Sequence, residues 1–186
     1  MAKRVKQKPF KWRLRYYGDP ALRSKCKEIE EITDEIKQLA QFMIQYIDSH
    51  NGIGLAAPQM GVPIRLFVLR DYLIDEDGKW NISQVPKVFI NPKILDKSEE
   101  VEEDMEGCMS LPGQSFGPIE RPVKIKIEAT DLNGKRFVEE REGINARVTF
   151  HENDHLNGVL QIDRMPPRER KQAEPVLQEL KKKYSN

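Results

Sequence analysis

The sequence predicts an α+β fold, on three observations. Apolar stripes of helical period occur in three separated places, near 34–49, 144–155 and 168–183. Between the first two lies a series of short apolar runs, some with the residue-by-residue alternation of strands. The pairs Asp77-Gly78 and Asn133-Gly134 fall between such runs and turn the chain straight back, so the strands pair antiparallel and no βαβ alternation arises. The expected architecture is antiparallel β-sheets packed around the middle helix, with N-terminal and C-terminal helices, in one domain spanning 1–186.

Each element has its own warrant. Residues 1–15 carry seven Lys or Arg and no acid, and Phe10, Trp12 and Leu14 alternate with basic residues, which reads as a solvated basic arm leading into a half-buried strand. Ile36, Leu39, Ala40, Met43 and Ile47 form one stripe. Thr33 is a suitable N-cap, Asp34 and Glu35 favour the positive end of the helix dipole, and Asn51-Gly52 supplies the stop. That places a helix at 34–49. Strands are expected within Pro63 to Arg70 and Val85 to Leu95. Val123, Ile125, Ile127 and Ala129 alternate with Lys124, Lys126 and Glu128 before Asn133-Gly134 returns the chain into Arg136-Phe137-Val138, a hairpin. Ile144, Val148, His151 and His155 make the second helical stripe, ended by Asn157-Gly158. The last helix and tail, 168–186, contain Pro175, which should start a segment or kink it.

Composition excludes several classes. With 33% charged and 38% hydrophobic residues the chain can build one core and is not disordered throughout. Lys plus Arg (31) nearly cancels Asp plus Glu (30), and the net +1 argues against a DNA-binding protein held by overall charge. No run approaches the roughly 18 apolar residues of a membrane span, and Met-Ala-Lys-Arg-Val-Lys lacks the apolar core of a secretory signal. A cytoplasmic monomer is expected, in which Cys26 and Cys108 are free or metal-binding, not paired.

The strongest chemical signal is His151-Glu152-Asn153-Asp154-His155. Helix positions i and i+4 lie one above the other, so both histidines can offer a nitrogen to one ion with Glu152 beside it. Two ligands are too few, since catalytic sites normally use three and leave a position for water. Cys26 sits in a charged stretch and reads as structural. Cys108 sits between Gly107 and Pro112, in a segment that can hold a thiol in a fixed turn. Glu174 and Glu179 of the last helix are rival third ligands, and spacing does not choose among them. Gly52-Ile53-Gly54-Leu55-Ala56-Ala57-Pro58-Gln59 offers little side chain and an amide at its end, which suits either close approach of a substrate or a plain helix cap and connector. Asp154 can orient a histidine or pair with Arg121 or Arg164.

These segments, GIGLAAPQ at 52–59, EGCMSLP at 106–112 and HENDH at 151–155, closely resemble the three signature motifs of the peptide deformylase family, with looser likeness from Tyr17 to Met165. Asn153 departs from the usual apolar residue, and Thr149-Phe150 from the usual polar residue before the first histidine. The resemblance implies removal of the formyl group from the N-terminal methionine of nascent peptides, with release of formate. It implies that Cys108, His151 and His155 bind the metal, that Glu152 is the general acid/base, and that Gln59 and the Met109 N–H steady the oxyanion. It implies Fe2+ as the native ion, one per chain, replaceable by Zn2+ or Ni2+; a Cys-His-His set by itself also suits zinc. Gly54 would offer backbone contact to the substrate, while Ile53, Leu111 and Val148 are candidates for the methionine-side pocket. The basic Lys181-Lys182-Lys183 end could touch ribosomal RNA transiently, against the simpler reading of a solvated helix end. A bacterial source is expected, with an organellar one left open.

Overall fold

A computed structural model describes residues 12–184. Three α-helices are present there: α1 (Asp34–Ser49), α2 (Gly143–Leu156) and α3 (Pro167–Tyr184). Nine strands accompany them: β1 (Gly54–Ala56), β2 (Leu66–Leu69), β3 (Tyr72–Ile74), β4 (Trp80–Ile82), β5 (Lys87–Lys97), β6 (Val101–Gly107), β7 (Ser115–Pro122), β8 (Lys124–Thr130) and β9 (Arg136–Glu142). All pair antiparallel, as a five-stranded sheet in the order β1-β2-β5-β8-β9 and two separate pairs, β3-β4 and β6-β7. The α+β class and the N- and C-terminal helices agree with the sequence. Among the described residues no helix is long and apolar enough to cross a membrane.

Helix α1 begins and ends where its chemistry directs. The Thr33 hydroxyl accepts from the Ile36 N–H at 3.4 Å, satisfying one of the free donors of the first turn. At the other end Asn51 takes a φ of 52°, which lets the Gly52 N–H reach back to the Ile47 carbonyl at 2.8 Å. Its stripe, with Leu39, Ala40, Met43 and Ile47, packs on one face of the large sheet against Leu55, Leu66, Val68 and Ile90. The other face gathers Ala56, Phe67, Leu69, Phe89, Ile127 and Ala129 with Leu156 of α2. Strand β2 therefore has helices above and below, which is why Leu66-Phe67-Val68-Leu69 reads as an unbroken apolar run and not an alternating one. Each of those side chains contributes about 1.5–3 kcal/mol by leaving water. A third cluster lies under α3, formed by Leu22, Leu111, Phe116, Leu160, Ile162, Leu177 and Leu180.

Four expectations need correction or completion. Trp12 and Leu14 are half-buried against the α1 cluster, yet they form no strand. Their segment is instead tied to two loops, the Arg15 N–H to the Gln59 carbonyl at 2.7 Å and the Tyr17 N–H to the Ser110 carbonyl at 2.9 Å. Phe10 and most of the basic arm lie outside the described residues. Pro175 does not start a segment, because α3 runs continuously through it. The run 52–59 is neither a plain cap nor a loose connector: Gly54–Ala56 is the sheet's edge strand, followed by a 3-10 turn at Ala57–Met60.

Candidate metal centre

Two elements deliver the candidate ligands. Strand β6 ends at Gly107, and the next residue, Cys108, opens a turn closed by the Leu111 N–H on the Cys108 carbonyl at 2.9 Å. The thiol thus sits on a fixed bend. Helix α2 places His151 and His155 one turn apart, with ring centroids 5.0 Å from each other. Cys108 Sγ lies 3.4 Å from His155 Nε2. One donor atom from each of Cys108, His151 and His155 falls within 4.8 Å of the other two. A thiolate and two imidazoles form a donor set for a divalent transition metal, and the convergence of these buried or half-buried groups fits one. Glu174 and Glu179 do not join them. Glu179 is exposed on α3, and Glu174 is paired with Arg170 at 2.6 Å.

Gln59 is held at both ends. Its Oε1 accepts from the Ala56 N–H at 2.8 Å, which turns Nε2 towards Ser110 Oγ (3.1 Å) and Cys108 Sγ (3.5 Å). An amide donor is therefore aimed at the edge of the metal group. The two glycines of 52–54 have separate steric causes. A Cβ on Gly52 would meet Met109 Sδ at 2.9 Å, and one on Gly54 would meet Glu152 Oε1 at 2.5 Å. Glu152 is buried, and its Oε2 has no hydrogen-bond partner among the described residues. Burial pushes its carboxyl up to about 7, with nearby His151 opposing and Glu106 adding to the rise.

Beneath the candidate ligands lies a network of buried charge, of which sequence reasoning anticipated the Asp154 pairs but not the part of Glu106. Glu106 accepts from Arg121 Nε and Nη2 at 2.8 and 2.9 Å, from Arg147 Nη1 at 3.2 Å, and meets His151 Nδ1 at 2.8 Å. Burial alone would raise its carboxyl; Arg121 and His151 outweigh that and hold it far below the usual carboxylate range. His151 is likewise disfavoured as a cation by burial but driven above its ordinary value by Cys108 and Glu106. His155, whose Nδ1 has no hydrogen-bond partner among the described residues, is pushed well below by burial, then by His151 and Arg121. Asp154 commits its oxygens to Arg121 and to Arg164 (2.7 Å), so both suggested ion pairs exist and neither histidine is oriented by it. Arg121 stands at an inward position of β7, two residues after buried Ile119. Phe150, in a departure position, lies under the Arg121 guanidinium at 5.5 Å.

The group opens on a cleft of about 610 Å³. Gly54, Gln59, Met109 and Glu152 line it, as do Ile53 and Val148 of the expected pocket. Leu111 does not: it is fully buried beside Leu22 and Phe116 in the cluster under α3, so it belongs to the core and not to the pocket. Tyr72 and Met105, unmarked by any motif, are on the wall. Cys26 is buried and unpaired, in agreement with a structural role.

Comparison with known proteins agrees with this geometry. The family model described as Polypeptide deformylase matches residues 12–171. The chain is 47% identical over 150 residues to peptide deformylase 1 of Clostridium perfringens, covering 81% of this chain and 95% of that protein. Among solved structures it resembles peptide deformylase of Plasmodium falciparum (TM-score 0.81, 34% identity, 93% of this chain and 97% of that one). It also resembles peptide deformylase of Thermotoga maritima (TM-score 0.74, 39% identity, 84% and 98%). The chain therefore belongs to the polypeptide deformylase family, metal-dependent hydrolases that remove the N-formyl group from the N-terminal methionine of newly made proteins.

Proposed function

We propose that Cys108, His151 and His155 hold one Fe2+ and that Glu152 carries the proton in deformylation, in a single catalytic domain working as a monomer in the bacterial cytoplasm. The observation that supports this most is the meeting of a thiol and two imidazoles within 4.8 Å, beside a buried carboxylate with an unpartnered oxygen. When bound, the ion supplies Lewis acidity, lowering the pKa of water from about 15.7 towards about 7 and polarising a carbonyl.

A formamide resists hydrolysis because its nitrogen shares electrons with the carbonyl, so the attacking water must lose a proton and the leaving amine must gain one. With its carboxyl near 7, Glu152 exchanges protons readily at neutral pH. It takes the water's proton at Oε2 and delivers it to the amine nitrogen. As the formyl oxygen becomes an oxyanion, Gln59 Nε2 donates to it, already pointed there by its bond to Ala56. The Met109 N–H supplies a second donor. Gly54 leaves its backbone open to the peptide, and Ile53 and Val148 form the methionine-side wall. Exposed Lys181, Lys182 and Lys183 end α3 and provide a transient ribosome contact, which salt should weaken in co-sedimentation.

Anaerobic purification, metal analysis and formate detection with a formyl-methionyl tripeptide test the reading. Glu152→Gln should keep its metal while losing about 10²–10⁴-fold in turnover. Activity that survived the change would remove Glu152 from its role.

A further inference from the structure

Five of the nine large apolar side chains exposed among the described residues fall within 73–85: Leu73, Ile74, Trp80, Ile82 and Val85. Three of them share a face. Register pairs Tyr72 with Ile82 and Ile74 with Trp80, and opposed residues point the same way, so these four side chains lie on one side of the β3-β4 hairpin. Ile74 and Trp80 are each 61% exposed. Tyr72 lines the catalytic cleft, and its ring meets Trp80 edge-on with centroids 6.1 Å apart.

The root of this hairpin is firmly anchored. Asn145, in the first turn of α2, accepts from the Tyr72 N–H at 2.8 Å and donates to the Tyr72 carbonyl at 2.9 Å. Arg70, clamped on Asp48, donates to the carbonyls of Ser83 (3.0 Å) and Gln84 (2.5 Å). The helix that carries the two histidines therefore also fixes the base of an uncovered apolar surface that continues the wall of the cleft.

Deformylation changes only the first residue of a polypeptide, so the residues behind it must leave the cleft along one of its walls. Resting on the deformylase reading, we propose that the face of Tyr72, Ile74, Trp80 and Ile82 is that wall: it receives apolar side chains of the nascent peptide downstream of formyl-methionine. At about 3.3 Å per residue the two short strands span roughly 10 Å, enough for about three substrate residues.

The test compares kcat/KM for formyl-Met-Ala-Ser with that for two hexapeptides extending it by Leu-Phe-Leu or by Ser-Asn-Ser, in the parent and in the double variant Ile74→Ser, Trp80→Ser. The parent should favour the apolar hexapeptide by about tenfold, chiefly through KM, and the variant should lose that preference. The tripeptide rate should stay within about twofold, which also shows that the variant is folded. Equal rates for the two hexapeptides, or a preference that survives in the variant, would overturn the proposal. So would a loss shared equally by the tripeptide, which would assign the face to folding. A dimer in light scattering that dissociates in the variant without a change in peptide preference would assign it to a second copy of the chain. Should even the tripeptide release no formate from the parent enzyme, the deformylase reading itself fails and this inference falls with it.

Discussion

Replacing Glu106 by Gln probes how the metal centre is supported. The carboxylate lies 6% exposed and meets two guanidinium groups and an imidazole: Arg121 through two bonds, Arg147 through one, and His151 Nδ1. Gln keeps the shape and one acceptor oxygen but removes the charge. Arg121 would then be balanced only by Asp154, which it already shares with Arg164. Leaving one side of a buried ion pair uncompensated costs about 3–5 kcal/mol, a large part of the roughly 5–15 kcal/mol that holds a domain folded. Loss of the charged partner on Nδ1 also makes His151 a poorer and less fixed ligand, typically about 10–100-fold in metal affinity. Urea unfolding measures the first effect, and competition of the protein with a coloured chelator for Co2+ measures the second. A variant within about 1 kcal/mol of the parent that binds Co2+ as tightly would refute the idea that this charge organises the site.

Three further outcomes follow. Gly54→Ala should displace the Glu152 carboxylate, because the new Cβ would fall 2.5 Å from Oε1; formate release should drop by at least about 10²-fold while metal content by elemental analysis stays at that of the parent. Burial pushes the Cys26 thiol up to about 11, against the weaker pull of Arg65, so iodoacetamide at pH 8 with chelator present should label Cys108 and spare Cys26, as peptide mapping will show. Asp71 is raised by burial but lowered more by Arg141 and Lys87, so its folded value lies below the unfolded one. Its stabilisation is complete above about pH 4 and is lost as pH falls through the folded value. Asp71→Asn should accordingly weaken urea resistance at pH 7 by about 1.5–3 kcal/mol and by progressively less in acid. A gap between the two proteins that stayed constant from pH 7 down to about pH 2 would count against this pairing.

The parts of the fold that were legible are those where one face is buried and the other is wet. The stripe from Ile36 to Ile47 places α1 at 34–49, as observed, and the alternation from Val123 to Ala129 marks the β8-β9 hairpin. Strands β6 and β7 gave no such contrast. Glu102, Glu103 and Asp104 are exposed, while an inward position of β7 is filled by Arg121, whose burial depends on carboxylates 15 and 33 residues away along the chain. The apolar residues of β3 and β4 other than half-buried Tyr72 are exposed, so pattern could not assign them to a core. The spacing of the candidate ligands was local and readable: two histidines one turn apart, and a cysteine beside a glycine. What supports them was not, since Glu106 meets His151 across 45 positions of sequence. Leu111 misled because its neighbour Ser110 does face Gln59, whereas Leu111 itself turns into the core.

The backbone ties from Arg15 to Gln59 and from Tyr17 to Ser110 make the segment before the first 3-10 turn a strap across two loops of the candidate site, whose side chains touch each other at 3.1 Å. Cutting away residues up to Tyr17 would free the loop that aims the Gln59 amide, although the cut lies far in sequence from every ligand. A protease cutting before Tyr17 would thus loosen the Gln59 amide while leaving the Cys108, His151 and His155 side chains in place.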